Sequence, residues 1–234
     1  MRAWAIKAVL ILIGAAILLP LPMRAEEYVF IVRDGDTSRT VTERYLVRPT
    51  AWERVVQYNY ILKPGNSIRV PIDLVRKEGA AFIDSLYGDV RVKSASDQVW
   101  APAPPGLILR DGDSVKTGLD SGVVLMMGEG GEAILRGETT VVYQPYSKLL
   151  GGAVNRLNVL HGFVEARIPP EENREVGYEI ETPGSLLVLK GTKLRIKVDE
   201  DNLTQYEVLE GEIAIKSSGR RYLVEGDSGI VIGE

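Results

Sequence analysis

The chain contains 234 residues, of which 28 are basic, 32 are acidic and none is cysteine, and its net charge at pH 7 is −4. This acidic balance argues against binding to nucleic acid, which needs a basic stripe, and against binding to anionic membrane surfaces. The absence of cysteine excludes disulfide bonds and a lipid-modified cysteine anchor, so the fold depends on its hydrophobic core.

The first 25 residues have the three parts of a secretory signal peptide. Arg2 and Lys7 provide a basic start, Ala8–Leu19 is a run of twelve apolar residues, and Ala25 is a small residue suited to cleavage. Met23, at the third position before this cut, is larger than usual and leaves the exact cleavage site open. The alternative is an uncleaved membrane anchor, but a spanning helix needs about 20 apolar residues. We expect an exported, periplasmic or envelope-associated protein that meets the membrane only transiently, through its signal peptide.

Residues 26–73 show the order strand, helix, helix, strand. Tyr28–Val32 is a short apolar strand pattern, and Ile68–Pro71 has the character of a closing strand. Between them, apolar residues recur at helical spacing, first in Val41–Leu46 and then in Trp52–Tyr60. A proline separates these two runs, which favours two short helices over one long helix. The sequence therefore predicts a small βααβ module.

Residues 79–234 lack helical periodicity and consist of short runs separated by Gly and Asp. Lys193–Val198 alternates strictly between apolar and basic residues, and Val123–Met127 is continuously apolar, as expected for a strand buried on both faces. Ala101–Pro105 is a stiff connection inside this region, and Gly151–Asn155 is predicted to be an exposed loop. The pattern predicts an all-β domain, a rolled sheet or sandwich of short strands, in a mainly β protein.

One pattern occurs three times in the β region, in Leu86–Lys93, Leu160–Arg167 and Leu209–Lys216. Each copy has Leu, any residue, Gly, any residue, then two apolar positions separated by one, and a closing cation. The glycine supplies a backbone geometry that a side chain resists, and the alternating apolar positions bury one face of the strand that follows. The spacing between copies is irregular, which excludes a solenoid of fixed period.

A series of positions in the small module carries a resemblance to a known family: Tyr28, Val32, Gly35, Asp36, Thr37, Val55, Asn59, Ile61, Pro64, Gly65 and Ile68–Pro71. With these residues the module resembles a LysM domain, a βααβ fold that binds glycans containing N-acetylglucosamine, such as peptidoglycan or chitin. The resemblance implies a groove between the loop after the first strand and the loop before the second. The groove residues that it implies are Gly35, Asp36, Thr37, Asn59, Tyr60 and Ile61. Two departures are that Ser38 stands where the family has leucine, and that the second loop is shortened.

Four aromatic residues in the small module bear on glycan binding, because aromatic rings stack on sugar faces. They are Tyr28, Trp52, Tyr58 and Tyr60. The alternative is that aromatic residues fill the module's small core, and we expect this of Trp52 and of Tyr45. Tyr60, which follows Asn59 directly, is the better candidate for the surface.

Segments from residue 80 onward resemble the FecR domain, in family order: Leu109–Gly118, Ser121–Leu125, Leu160–Val164, Glu181–Pro183, Lys190–Thr192, Val208–Ile213 and Val224–Gly229. FecR proteins sit in the inner membrane and pass a signal from a siderophore receptor to an extracytoplasmic sigma factor through a cytosolic segment. Here only Met1–Lys7 precede the apolar run, so we expect no segment that contacts a sigma factor. The predicted domains are a signal peptide at 1–25, a LysM-like module at 26–73 and a FecR-like β domain at 79–234.

Residues suited to catalysis are few. His161 is the only histidine and falls in the repeated pattern, where the other copies have Tyr and Glu, so a variable, outward-facing position is expected. With no cysteine and one histidine, the usual zinc sites and cysteine nucleophiles are excluded. The acids Asp111, Asp113 and Glu129 lie in turn contexts. Asp199–Asn202 is interpreted as an acidic hairpin rather than a calcium loop. The sequence predicts no enzyme, cofactor or metal site.

Three functions from different classes remain open at this stage. The first is an envelope scaffold that attaches to peptidoglycan through the small module and to an unknown envelope protein through the β domain. The alternative is a periplasmic signalling or regulatory domain of FecR type, whose edge strands accept a strand from a partner. The third and weakest is an enzyme acting on envelope polysaccharide.

Overall fold

The structure, a computed structural model, describes residues 23–24, 27–48, 50–58, 62–75, 80–147, 152–170, 172 and 176–233. The first described element is a two-residue strand, β1 (Met23–Arg24). The remainder of the predicted signal peptide, including Ala8–Leu19 and Ala25, lies outside the described residues. None of the helices in the described ranges is long and apolar enough to cross a membrane.

The small module has the predicted strand–helix–helix–strand order. It consists of β2 (Glu27–Ile31), α1 (Ser38–Tyr45), α2 (Ala51–Tyr58) and β3 (Ser67–Pro71), and a 3-10 turn at Ile72–Leu74 follows. The two strands pair antiparallel, with Glu27 opposite Pro71 and Ile31 opposite Ser67. Alternate positions of both strands and the inner faces of both helices supply a separate small core. Its members include Phe30, Val41, Tyr45, Leu46, Val55, Val70 and Leu74.

From residue 80 onward, the following ordered elements of the described residues are all strands, as the sequence predicts. The strands are β4 (Ala81–Tyr87), β5 (Val90–Lys93), β6 (Ala101–Pro102), β7 (Ile108–Leu109), β8 (Ser114–Thr117), β9 (Gly122–Met127), β10 (Gly131–Leu135), β11 (Thr140–Tyr143), β12 (Tyr146–Ser147), β13 (Ala153–Arg167), β14 (Gly177–Thr182), β15 (Ser185–Leu189), β16 (Lys193–Val198), β17 (Thr204–Glu210), β18 (Glu212–Ser217), β19 (Arg220–Glu225) and β20 (Ser228–Ile232).

These strands form two sheets that are joined through the long strand β13. The first sheet runs β4–β9–β10–β13–β16–β17–β20, with β1 and β7 sharing the outer edge of β4. The second sheet runs β6–β5–β8–β11–β13–β14–β15–β18–β19, and β12 pairs with the start of β13. Because β13 belongs to both, β1 and β4 to β20 make one curled sheet of 18 strands.

The repeated glycine marks the points where the chain passes from one sheet to the other. Gly88 lies between β4 and β5, Gly211 lies between β17 and β18, and Gly162 is the corner inside β13. All three have positive φ, and at Gly162 the value is 101°. A Cβ there would lie 2.5 Å from the Cα of Thr139, so an L side chain would meet both backbone strain and a backbone clash. The pattern found in the sequence is therefore a corner motif.

The large core lies between the two sheets and follows the predicted alternation. In β16, Leu194, Ile196 and Val198 are at most 1% exposed. The prediction that Val123–Met127 is buried on both faces is only partly right: Val123, Leu125 and Met127 are buried, whereas Val124 and Met126 face the other side and are partly buried.

The prediction of an exposed loop at Gly151–Asn155 is wrong for its second half. Ala153, Val154 and Asn155 begin β13, and Val154 and Asn155 are each 1% exposed. This segment is a strand because Val154 and Asn155 pair with Gly177 and Tyr178 of β14. The side-chain oxygen of the buried Asn155 accepts a hydrogen bond of 2.5 Å from the hydroxyl of Tyr143.

The small module packs on the outer face of the first sheet. The amide of Val29 donates to the carbonyl of Gly106 over 2.7 Å, and the rings of Tyr28 and Phe82 make an edge contact with centroids 4.3 Å apart. Phe82 and Ile108, although they belong to the β domain, are members of the small module's core, and Met126 packs against it. The two parts therefore share apolar surface.

Candidate functional site

The residues predicted to bind glycan divide into two groups. Asn59, Tyr60 and Ile61 lie outside the described residues. Gly35, Asp36 and Thr37 are described, and they form the turn between β2 and the start of α1. Gly35 has φ of 83°, which a tight turn at this point requires, and no atom beyond its neighbours lies within 4 Å of the position a Cβ would take.

The carboxylate of Asp36 is engaged by protein groups on both sides. It accepts a hydrogen bond of 2.7 Å from the amide of Arg33 and two bonds, of 2.8 and 2.9 Å, from the guanidinium of Arg110 in the β domain. The side chains of Arg110 and Asp36 are 15% and 7% exposed. Burial lowers the pKa of Arg110, but hydrogen bonding to Asp36 and the charges of Tyr45, Asp36 and Asp113 together outweigh it, and the net shift is upward. Arg110 also lies over the ring of Phe30 at 5.3 Å.

A second ion pair mirrors the first. The guanidinium of Arg33 donates to both oxygens of Asp113, each at 2.6 Å, and the amide of Arg110 donates to Asp113 over 2.9 Å. Each aspartate therefore accepts from the backbone of its own turn and from the arginine of the other turn. We call these four residues, Arg33, Asp36, Arg110 and Asp113, the arginine–aspartate clasp. It joins the small module to the β domain.

The clasp is a feature that the sequence analysis missed, although a signal was present. Residues 33–36 and 110–113 have the same sequence, Arg-Asp-Gly-Asp, followed in each case by a hydroxyl residue. In both turns the amide of the second aspartate donates to the carbonyl of the arginine, at 3.1 and 3.0 Å. Two identical turns with opposite charges at fixed positions can exchange their arginines reciprocally.

Thr37 has a structural role at the start of α1. Its hydroxyl accepts a hydrogen bond of 3.1 Å from the amide of Thr40, and the hydroxyl of Thr40 accepts one of 2.9 Å from the amide of Thr37. This reciprocal arrangement is a capping box, which satisfies two helix-terminal amides. Of the three described residues predicted to bind glycan, two thus serve the clasp and the helix cap.

The aromatic residues of the small module whose side chains the structure describes lie mainly inside it. Tyr45 is 7% exposed and Trp52 packs against the small core, as the sequence predicts for both. Tyr28 is 4% exposed, so its ring is not available to stack on a sugar. Burial, together with the charge of Asp84, raises the pKa of Tyr28 to about 12.

The hydroxyl groups that could act in catalysis lie mostly inside the β domain. The hydroxyls of Thr182, Ser185 and Tyr206 form a buried hydrogen-bonded cluster, and burial raises the pKa of Tyr206. The hydroxyl of Tyr178 donates to the carbonyl of Met127 over 2.9 Å. Burial likewise raises the pKa of Tyr143. Since substrate cannot reach these groups, their role is to satisfy one another within the fold.

The exposed acidic turn at Asp199–Asn202 also has a structural role. Asp199 accepts hydrogen bonds from the amides of Asp201 and Leu203, at 3.1 and 2.9 Å, and closes the hairpin between β16 and β17. Across the described ranges, no group of three or more His, Asp or Glu residues is placed to hold a metal ion. His161 lies on β13, half-buried and opposite Thr140 of β11.

An open apolar groove of about 1050 Å³ lies on the outer face of the first sheet, beside the small module. On β4, β9 and β10 the residues next to core positions point to this outer face, among them Tyr87, Val124 and Ile134. The turn between β8 and β9 forms one wall and carries Leu119, which is 70% exposed. The groove is lined by Ser85, Leu86, Tyr87, Leu119, Asp120, Ser121, Gly122, Val123, Val124, Ile134, Leu135, Arg136 and Gly137.

The groove is a part of this face that the small module does not cover. Phe82 and Met126 lie on the same face and are closed off by the small module's core. Further along the same strands, Tyr87 and Val124 have no such cover among the described residues and remain partly exposed. This open apolar groove next to an exposed leucine is the candidate interaction site of the β domain.

The comparisons with known proteins concern the β domain. Residues 113–214 match the family model described as FecR protein, which covers less than half of the chain and runs from β8 into β18. This confirms the FecR part of the resemblance over those residues, and the resemblance of residues 28–71 to LysM stays a prediction. No curated protein matches the chain.

Two crystal structures of a candidate anti-sigma factor from Parabacteroides distasonis, at 1.65 and 2.50 Å resolution, are similar to this chain. Each has 12% sequence identity and a TM-score of 0.44. The similarity covers 51% of this chain and 54% of theirs, so the chain spans about half the length of the structures it matches. A similarity of this extent carries no inference about function.

Proposed function

We propose that the chain is a FecR-type regulatory module that works outside the cytosol by binding a protein partner in the apolar groove. The observation that carries the proposal is the position of the groove. Most of its lining, from Leu119 to Val124 and from Ile134 to Gly137, belongs to the segment that matches the FecR family model. The groove is thus part of the FecR domain, and not an accessory to it.

The chemistry of the groove favours a protein ligand. Its lining is mostly aliphatic or aromatic, with a single acid, Asp120, and a single base, Arg136. A glycan needs polar groups and open aromatic faces, whereas the anchors of a protein interface are buried apolar side chains. Leu119, which projects from the rim, has the exposure of such an anchor before its partner binds.

Attachment to peptidoglycan through the small module is the other function considered, and it stays a prediction. The described part of the implied glycan groove gives it no further support. Asp36 is held by Arg110 and Arg33, and Thr37 caps α1. Arg110 comes from the β domain, so a glycan at this loop would have to compete with a salt bridge that is only slightly exposed.

Replacing the chromosomal copy of the gene with a Leu119→Asp variant tests the regulatory proposal. A carboxylate buried against an apolar partner surface costs about 2–3 kcal/mol, or about 30- to 150-fold in affinity. If the groove transmits a signal, the variant changes the same transcripts as deletion of the gene, while its protein level stays normal. Leu223→Asp is the matched control, since Leu223 is 57% exposed and lies on β19, away from the groove.

The two variants decide whether the groove has a regulatory role. The proposal is wrong if deletion changes no transcripts, or if Leu119→Asp and Leu223→Asp both behave as the wild type. Both side chains are exposed, so neither variant is expected to unfold the domain.

A further inference from the structure

The outer edge of β4 is shared by two very short strands. Near the start of β4, Ala81 and Phe82 pair with Leu109 and Ile108 of β7. Near its end, Leu86 and Ser85 pair with Met23 and Arg24 of β1. No other described strand lies on this edge, so only β1 covers the backbone groups of the second half.

The same stretch of β4 forms one side of the apolar groove. Ser85, Leu86 and Tyr87 all line it. The pairing is antiparallel, with Met23 opposite Leu86, so a strand that continued β1 in the same register would next pass Tyr87 and Gly88. Leu119 lies on the far side of the groove, where its carbonyl is against Gly137 after the end of β10. A strand added at this edge therefore borders the groove, with alternate side chains on the groove's face of the sheet.

Met23 and Arg24 precede the predicted cleavage point after Ala25. Cleavage would remove β1 and leave the edge at Ser85 and Leu86 without a partner. A free edge next to an apolar groove has what strand addition needs, since the backbone groups supply affinity and the groove selects side chains.

We propose that β1 is a placeholder for a partner's strand, and that removal of the leader opens this edge of the groove to it. The occupant is an extended segment of a partner protein, antiparallel to β4, with apolar side chains at alternate positions. The inference rests on the proposed function and adds its regulation, because the unprocessed chain occupies its own binding edge and the processed chain does not.

Hydrogen exchange on two forms of the protein tests whether β1 is a placeholder. One form is the unprocessed chain, purified in detergent from cells whose signal peptidase is inhibited, and the other is the processed chain in the same detergent. Peptides covering Asp84–Tyr87 are expected to exchange at least about tenfold faster in the processed form, because an edge without a partner strand opens more readily. Peptides covering Lys193–Val198, in the centre of the first sheet, should be identical in both forms and show that the fold is intact.

A synthetic peptide with the sequence of residues 18–25, Leu-Leu-Pro-Leu-Pro-Met-Arg-Ala, is the probe for the open edge. It is expected to bind the processed chain and to restore slow exchange over Asp84–Tyr87, without changing exchange over Lys193–Val198. The unprocessed chain should bind it at least about tenfold more weakly than the processed chain, since β1 already holds the edge.

The proposal that β1 is a placeholder is overturned if exchange over Asp84–Tyr87 is equal in the two forms, or if the peptide binds both forms equally. These results are separate from a failure of the proposed function. If the function fails, Leu119→Asp leaves transcription unchanged even though exchange differs as expected. If only the placeholder fails, Leu119→Asp still changes the transcripts that deletion changes, while exchange does not respond to processing.

Discussion

Asp36 and Arg110, 74 positions apart in the chain, are joined by two hydrogen bonds of 2.8 and 2.9 Å between carboxylate and guanidinium. The same relationship holds in reverse between Asp113 and Arg33, whose turn has the same sequence. The two turns thus exchange arginines across the boundary between the small module and the β domain. This exchange, together with the packing of Phe82 under the module, fixes how the two parts sit together.

The clasp is expected to contribute measurably to stability, because its carboxylates are nearly buried. Asp113→Asn should lower the free energy of unfolding by about 2–4 kcal/mol, since it leaves the Arg33 guanidinium facing a neutral group at a site 1% exposed. Asp36→Asn should cost about 1–3 kcal/mol. In a double-mutant cycle, Asp36→Asn and Arg110→Gln should show a coupling of about 1–2 kcal/mol. Denaturant unfolding at pH 7 measures all of these values.

The surface ion pair between Arg54 and Asp73 is the control for the clasp. Its side chains are 49% and 63% exposed, so Arg54→Gln should cost no more than about 0.5 kcal/mol. Equal costs for Asp113→Asn and Arg54→Gln would mean that the clasp is not a stabilising contact.

Much of the fold follows from local pattern. The strict alternation of Lys193–Val198 predicts β16, and the apolar spacing of the small module predicts its strand–helix–helix–strand order, because these periods decide which side chains can be buried together. The triple repeat predicts the buried face of each following strand. It does not predict that its glycine moves the chain between sheets, since that depends on pairings distant in sequence.

The candidate site depended on information that local pattern does not contain. Leu119 and Val124 resemble core residues in the sequence, and only the final packing leaves them beside an open groove. Likewise the turn at residues 33–36 resembles a glycan loop, and its contact with Arg110 appears only when the β domain is in place. The burial of Val154 and Asn155 depends in the same way on the pairing of β13 with β14. In each case the deciding partner is distant along the chain or is not fixed by local periodicity.

The corner at Gly162 should be far less tolerant of a side chain than a turn with open space. Gly162→Ala combines φ of 101° with a Cβ 2.5 Å from the Thr139 Cα, and we expect a loss of about 3 kcal/mol or more. Gly219, in the turn between β18 and β19, has φ of 74° and nothing within 4 Å, so Gly219→Ala should cost about 1–2 kcal/mol. Thermal and denaturant unfolding compare the two, and similar losses would argue against the corner role.

The predicted glycan groove can be tested without disturbing α1. The chain should co-sediment with insoluble peptidoglycan, and Tyr60→Ala should abolish this, if the LysM resemblance extends to function. Thr37→Ala is a poor test, because it removes the cap and should cost about 1 kcal/mol whether or not glycan binds. Thr37→Ser keeps the hydroxyl and should sediment as the wild type does. Absence of sedimentation for all of them would reject glycan binding.

Alkaline pH should destabilise the protein partly through Tyr28. Its pKa is raised from 10.0 to about 12 by burial and by Asp84, so the unfolded chain releases this proton at lower pH than the folded chain. The stability linked to the protonated phenol is complete below pH 10 and is lost as pH rises from about 10 to about 12. Tyr28→Phe should therefore make the fall in unfolding free energy between pH 9 and about 11.5 shallower, measured by urea titration at each pH. Tyr222→Phe, on the partly exposed edge strand β19, is the control. An unchanged pH profile in Tyr28→Phe would show that this phenol does not ionise on unfolding in that range.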